Sequence, residues 1–106
     1  AMEAGGLDDG EYTLGGQKVY VKNAEARLED GTIAGSVLSM EKAVKNMINA
    51  TDLPIYEVVN MATLNPARRL GVDHKIGKIK EGYKANLVLL DEEFNVKGVY
   101  KEGKEL

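Results

Sequence analysis

The sequence predicts an α+β chain, with strands at both ends and helices between them. Three observations carry this. Two short β-prone pieces, Tyr12–Leu14 and Val19–Val21, flank Gly15-Gly16, a pair that supplies the positive φ of a tight hairpin. Met40, Ala43, Val44, Met47 and Ile48 then recur at helical spacing, one apolar stripe. From Ile76 the period changes to that of strands, with the apolar run Asn86–Leu90 and the β-prone Val96–Lys101.

Each element has its own local reason. Residues 1–10 are rich in Gly and Asp and read as a loop. Ala26–Leu28 reads as a further short strand, and Asp30-Gly31 as a turn. Thr32–Ser36 is small and tight, and Ser36 or Ser39 is expected to cap a helix running to about Ala50. Glu41 stands one turn before Lys45, the favourable order for a helical ion pair. Pro54 is expected at the first position of the next helix, whose buried face would be Ile55, Val58, Val59 and Ala62. Asn65 is expected to cap a third, short helix that Pro66 opens and Gly71 ends. Gly77 and Gly82 bracket a turn. Asn86–Leu90 is apolar on both faces, so it is expected to be buried on both. Gly103 would turn the tail back.

The 106 residues suffice for one small domain, which would bury about 65% of the surface of the unfolded chain. A net charge of −3, with no basic cluster interleaved with aromatics, gives no reason to expect a nucleic-acid or anionic-membrane partner. The chain has no Cys, which excludes disulfides, thiolate metal sites and a Cys nucleophile and fits a reducing cytoplasm. No apolar stretch approaches the roughly 20 residues that span a bilayer.

Few residues could carry chemistry. His74 is the sole His and lies between Asp73 and Lys75 in a polar loop, where a solvent-facing role is expected. Zinc needs three or four ligands, so a His-based site cannot be built. Glu3, Asp8, Asp9 and Glu11 form an acidic cluster, but their spacing lacks the alternation of a calcium loop. No catalytic residue and no metal ligand is therefore expected. The Tyr residues are scattered, and the helical Met residues read as core filling. Gly5-Gly6, Gly15-Gly16 and Ala34-Gly35-Ser36 are places where backbone could approach a ligand. Ile33-Ala34-Gly35-Ser36 is the best of them, because it precedes a helix N-terminus. No Lys-bearing phosphate loop follows it.

MATLNPARRLGV, IGKIKEGYKANLVLLD and VYKEGKEL together resemble the closing segment of the amidohydrolase superfamily. Upstream, DGEYTLGG and DGTIAGSVLSM closely resemble the N-acetylglucosamine-6-phosphate deacetylases of that superfamily. The resemblance covers essentially the whole chain. One departure is Asn86, where the usual pattern near the strand is Ala-Asp-Leu-Val.

The resemblance implies that residues 1–72 form the C-terminal end of a (β/α)8 hydrolase barrel and 73–106 the returning strands of its accessory β-sandwich. It implies that Ile33, Ala34 and Gly35 contact the substrate, N-acetylglucosamine 6-phosphate. It implies a divalent metal, Zn or Fe, that activates the water attacking the acetamide, with none held by these residues. The family's catalytic Asp would precede Ala1, so a C-terminal fragment is expected, inactive alone and needing its N-terminal barrel. A cytoplasmic homo-oligomer with apolar surface left open is also expected. The alternatives are a free-standing sugar- or protein-binding module, or part of another amidohydrolase such as a dihydroorotase-like enzyme.

Overall fold

The computed structural model describes residues 4–106. It divides into two compact units, Ala1–Ser39 and Met40–Leu106. The first is a four-stranded antiparallel meander: β1 (Gly10–Leu14), β2 (Gln17–Lys22), β3 (Glu25–Leu28) and β4 (Ile33–Gly35), in sequence order across the sheet. The second holds three helices, α1 (Met40–Ala50), α2 (Ile55–Ala62) and α3 (Leu64–Arg69). A three-stranded antiparallel sheet follows, β5 (Leu87–Leu90), β6 (Val96–Lys101) and β7 (Lys104–Glu105). The expected α+β class is the observed one.

Three hairpins turn through two-residue loops. Leu14 pairs with Gln17 across Gly15-Gly16, whose φ values are 56° and 84°. Lys22 pairs with Glu25 across Asn23-Ala24 (51° and 62°), and Lys101 with Lys104 across Glu102-Gly103 (51° and 83°). Two successive positive φ values are the mark of the type I′ turn, whose twist matches that of the flanking strands. The Gly15-Gly16 turn is legible from composition. The Asn23-Ala24 turn is not, because Ala has no preference for positive φ.

The core of the first unit is small. Ala4, Val19, Val21 and Ala26 are buried, with Tyr12, Leu28, Ala34 and Val37 packed against them. In β2 the alternation is clean: Val19 and Val21 point inward while Lys18 and Lys22 are exposed. In the second unit Val58, Leu64 and Ala67 are buried.

The structure corrects several expectations in the helical region. The helix expected from Ser36 or Ser39 begins at Met40, so Ser39 is the residue that precedes it. Ser36 instead closes a turn, its Oγ accepting the Leu38 N–H at 3.1 Å. Pro54 stands one residue before α2, with φ −59° and ψ 146°, and its carbonyl accepts the N–H groups of Glu57 and Val58. Thr63, not Asn65, precedes α3; its hydroxyl donates back to the Val59 carbonyl at 2.8 Å. Pro66 is then the third helical residue, where the N–H has no intrahelical acceptor and its loss costs nothing. Gly71 ends α3 as expected. At φ 69° it donates to the Arg68 carbonyl, while Val72 donates to that of Ala67, the two bonds of a Schellman motif.

Burial is sparser than the apolar pattern suggests. None of the α1 stripe is buried, Met40 being 66% exposed, and in α2 only Val58 is closed off. Met47 and Met61 are likewise exposed, so they do not fill a core. Asn86–Leu90 is not covered on both faces: Val88, Leu89 and Leu90 are exposed, and β5 is an edge strand. An apolar pattern reports which surface avoids water. It does not report what stands against that surface.

Asn86, the departure from the usual pattern, has a structural task. Its Oδ1 accepts the Glu102 N–H at 2.9 Å, beside the 2.7 Å ion pair of Lys84 with Glu102. An Asp at that position would present the same kind of acceptor oxygen.

The β5–β6 connection is held by one carboxylate. Asp91 accepts the N–H groups of Glu93 and Asn95 and the Asn95 side-chain amide, and lies 3.4 Å from Lys97 Nζ. These donors, the Asn95 side chain foremost, hold its carboxyl down from 3.8 to about 2. A depressed folded-state pKa gives stabilisation that is complete above the unfolded value and is lost as pH falls through the folded one. Asp91→Ala is therefore expected to lower the urea midpoint at pH 6. The gap from the parent should shrink from pH ~4 and close near pH 2. A gap independent of pH would show that the carboxylate charge is not what holds this turn.

Candidate functional site

The stretch singled out from sequence, Ile33, Ala34 and Gly35, was expected to be a tight corner before a helix. It is a strand, β4. Its brevity and its Ala and Gly, both poor strand formers, hid it from propensity. β4 is the last strand of its sheet, paired on one side by β3.

The pairing is irregular. Arg27 lies opposite Ile33 and Ala26 opposite Gly35, so Ala34 is an extra residue, a β-bulge. The three positions face different surroundings. Ile33 is 70% exposed. Ala34 packs its methyl against the buried cluster of Val19, Val21 and Ala26. Gly35 is half-buried and brings no side chain. A ligand lying along β4 would meet an apolar side chain at 33 and main chain at 34 and 35. Bulges re-aim strands in this way beside functional sites.

The approach to β4 is held by hydrogen bonds that sequence reasoning did not find. Leu28 N–H donates to the Thr32 carbonyl at 2.7 Å, and Gly31 N–H to that of Leu28 at 3.0 Å. Asp30 Oδ1 accepts the Thr32 N–H at 2.9 Å. That backbone bond, with a second from the Thr32 side chain, holds the Asp30 carboxyl below its ordinary range. Arg27 Nη1 donates to the Gly31 carbonyl at 2.8 Å, and its Nε to Glu25 at 3.0 Å. The Asp-Gly pair signalled the turn. Nothing in the spacing signalled that Arg27 reaches across it.

The other candidates do not gather into a reactive constellation. Asp9 Oδ2 accepts the Asn23 N–H at 3.3 Å, and Tyr12 donates its hydroxyl to the Asp8 carbonyl at 2.6 Å. Glu11 is exposed on β1, while Glu3 and Ala1 lie outside the described residues. His74 is exposed. Among the described residues no three His, Cys, Asp or Glu side chains come together to hold a metal ion. This donor set does not fit the divalent metal that the resemblance implies, so these residues route no step through one. Among the same residues no helix is long and apolar enough to cross a membrane. The second unit carries a groove of about 530 Å³ between α2 and β5, lined by Val59, Ile76, Ile79, Leu87 and Val88 among others. Asn60, Thr63, Lys78, Lys84 and Asn86 complete the lining with polar side chains, and it holds no carboxylate, His or Cys.

Comparison with known proteins bears on both units. The chain is 42% identical over 103 residues to N-acetylgalactosamine-6-phosphate deacetylase of Escherichia coli O157:H7, covering 97% of this chain and 27% of that one. It is 41% identical over 104 residues to N-acetylglucosamine-6-phosphate deacetylase of Lysinibacillus sphaericus, covering 98% and 27%. The crystal structure of N-acetylglucosamine-6-phosphate deacetylase from Pasteurella multocida superposes with a TM-score of 0.87 at 34% identity, over 100% of this chain and 28% of that one. The chain thus spans little more than a quarter of the length of these relatives. The model of the amidohydrolase family matches residues 22–106. With four-fifths of its length matched, the chain belongs to the amidohydrolase family.

Proposed function

We propose that this chain is the substrate-contacting C-terminal segment of an enzyme that hydrolyses the acetamide of N-acetylglucosamine 6-phosphate. Water oxygen adds to the amide carbonyl carbon, the C–N bond breaks, and the amine leaves with a proton, giving acetate and glucosamine 6-phosphate. The carrying observation is the 41–42% identity over nearly the whole chain to relatives whose names state this class of reaction. In this reading residues 1–72 belong to a barrel and 73–106 to a sandwich. The catalytic groups and a divalent metal, Zn or Fe, are supplied by other parts of the enzyme. A cytoplasmic homo-oligomer is part of the same proposal, supported by the lack of Cys and by the exposed apolar faces.

The task of this chain is to present β4. The bulge frees main-chain groups at Ala34, the Ala34 methyl anchors the strip to the core, and Gly35 leaves room for a sugar to approach.

The test is a chimera. Residues 1–106 replace the matching segment of the Lysinibacillus sphaericus enzyme, and acetate release from N-acetylglucosamine 6-phosphate is measured. The chimera is expected to turn over. Gly35→Val in it should raise KM about tenfold or more, since a branched side chain would fill the space a ligand needs. A folded chimera without activity, or a Gly35→Val enzyme with unchanged KM, would count against the reading. The 42% identity to the galactosamine enzyme favours a second reading, in which the 4-epimer is the preferred substrate. The ratio of kcat/KM for the two sugar phosphates decides between them.

A further inference from the structure

We infer that the groove between α2 and β5 is a binding site for an amphipathic carboxylate, whose acyl chain lies on the apolar lining and whose head group meets Lys78 and Lys84. The inference draws nothing from the role of residues 33–35. The groove has the make-up of a small-molecule site. Its volume of about 530 Å³ lies in the range of ligand pockets, which are mostly apolar with a few polar groups that fix orientation. Val59, Val88 and Leu89 in the lining are 36%, 55% and 51% exposed, so their apolar surface is open to a ligand. Covering such surface with hydrocarbon is favourable.

Charge decides the kind of head group. The lining holds two ammonium groups, Lys78 and Lys84, and no carboxylate. A second cavity, of about 260 Å³, shares Lys78, Ile79, Lys84 and Leu87 with the groove and adds Lys80 against a single carboxylate, Glu81. Apolar walls that carry one sign of charge concentrate the opposite ion. The chain as a whole carries −3, so this cationic lining is not a general property of its surface. Both lysines stand on anchored backbone. Gly77 approaches α3 so closely that a Cβ there would lie 3.1 Å from the Leu64 Cα, which fixes where Lys78 begins. Lys84 donates its N–H to the Lys75 carbonyl at 2.8 Å, and its own carbonyl accepts the Asn86 N–H at 2.8 Å. Among the described residues Lys78 is in no ion pair, while Lys84 is held by Glu102 at 2.7 Å. A carboxylate offers two acceptor oxygens. Bound here, it takes up the free charge of Lys78 and competes with Glu102 for Lys84. Glu102 does not line the groove, so it gives a handle on the site from outside.

Hexanoate, octanoate and decanoate are titrated by calorimetry into the 106-residue chain and into the chimera described above. A single equivalent is expected to bind each, tightening about tenfold with each added pair of methylenes. Octylamine, with the same chain length and the opposite charge, should bind at least about tenfold more weakly than octanoate. Lys78→Ala should weaken octanoate about fivefold, and Glu102→Gln should tighten it a few-fold by releasing Lys84. Octylamine binding as well as octanoate, or both substitutions leaving octanoate unmoved, would mean a groove without charge preference, and the inference fails. It fails also if no carboxylate binds. Binding to the chain but not to the folded chimera would mean that another part of the enzyme fills the groove, which overturns it as well. Acetate release plays no part in these readings, so a folded but inactive chimera leaves the test intact. Should the chimera or Lys78→Ala not fold, the chain and Lys78→Gln decide in the same way.

Discussion

Gly77→Ala is expected to destabilise this chain by about 2–4 kcal/mol, read as a lowered urea midpoint with an unchanged slope. Two separate costs combine. Gly77 sits at φ 93°, a conformation that L side chains rarely adopt. A Cβ there would also stand 3.1 Å from both the Leu64 Cα and the Ala67 Cβ. Leu64 and Ala67 are among the few buried residues of the second unit, and one of the two contacts is backbone, so neither can give way easily. Gly82→Ala is the internal control. Its φ of 84° is nearly the same, but nothing lies within 4 Å of the added carbon. It should cost only the backbone strain, about 1 kcal/mol. Equal costs for the two substitutions would show that the approach of the 77 turn to α3 is not a tight contact.

The 106-residue chain by itself is expected to release no acetate from either N-acetylhexosamine 6-phosphate, with Zn²⁺ or Fe²⁺ added. Enzymes of this kind must exceed the spontaneous reaction by at least about 10⁶-fold, which demands placed acid–base groups and a strong electrophile. The described residues place none. The sole His, His74, is exposed, no three potential ligands converge, and the β4 strip offers Ile, Ala and Gly. Binding without chemistry is all that such a strip can do. Acetate release that scales with chain concentration and is abolished by a chelator would overturn this expectation.

What the sequence revealed and what it hid divide along physical lines. Turn chemistry was local and readable: Gly15-Gly16, Asp30-Gly31, Gly71 and Gly103 each sit where a positive φ or a tight loop was expected, because the backbone demand belongs to the residue itself. Helical periodicity located α1 and α2 to within a few residues. Three things were not readable. β4 depends on a neighbouring strand, and Ile-Ala-Gly has no strand preference of its own. The α3 boundary was set by Thr63, where the chain turns directly out of α2, and Asn-Pro looked like the better start. Burial of Met40, Val59 and Leu89 was inferred from pattern, yet burial needs a second surface. For the candidate site, Ile33 to Gly35 stood out in the sequence as a short stretch with Ala and Gly beside a turn, and the family resemblance singled them out. The bulge at Ala34 and the reach of Arg27 to the Gly31 carbonyl were not readable, since one is a relation between strands and the other between a strand and a turn.

The paucity of closed-off side chains has a thermodynamic consequence. Among the described residues the largest fully buried side chains are two valines, Val19 in one unit and Val58 in the other, while Met40, Tyr56, Leu70 and Ile79 lie open. Stability in such a chain is not an intrinsic constant. Whatever binds the folded form over those open faces draws the equilibrium toward it by mass action, by RT ln(1 + [L]/Kd). The melting temperature then becomes a function of concentration and of company, a property of the solution as much as of the polypeptide.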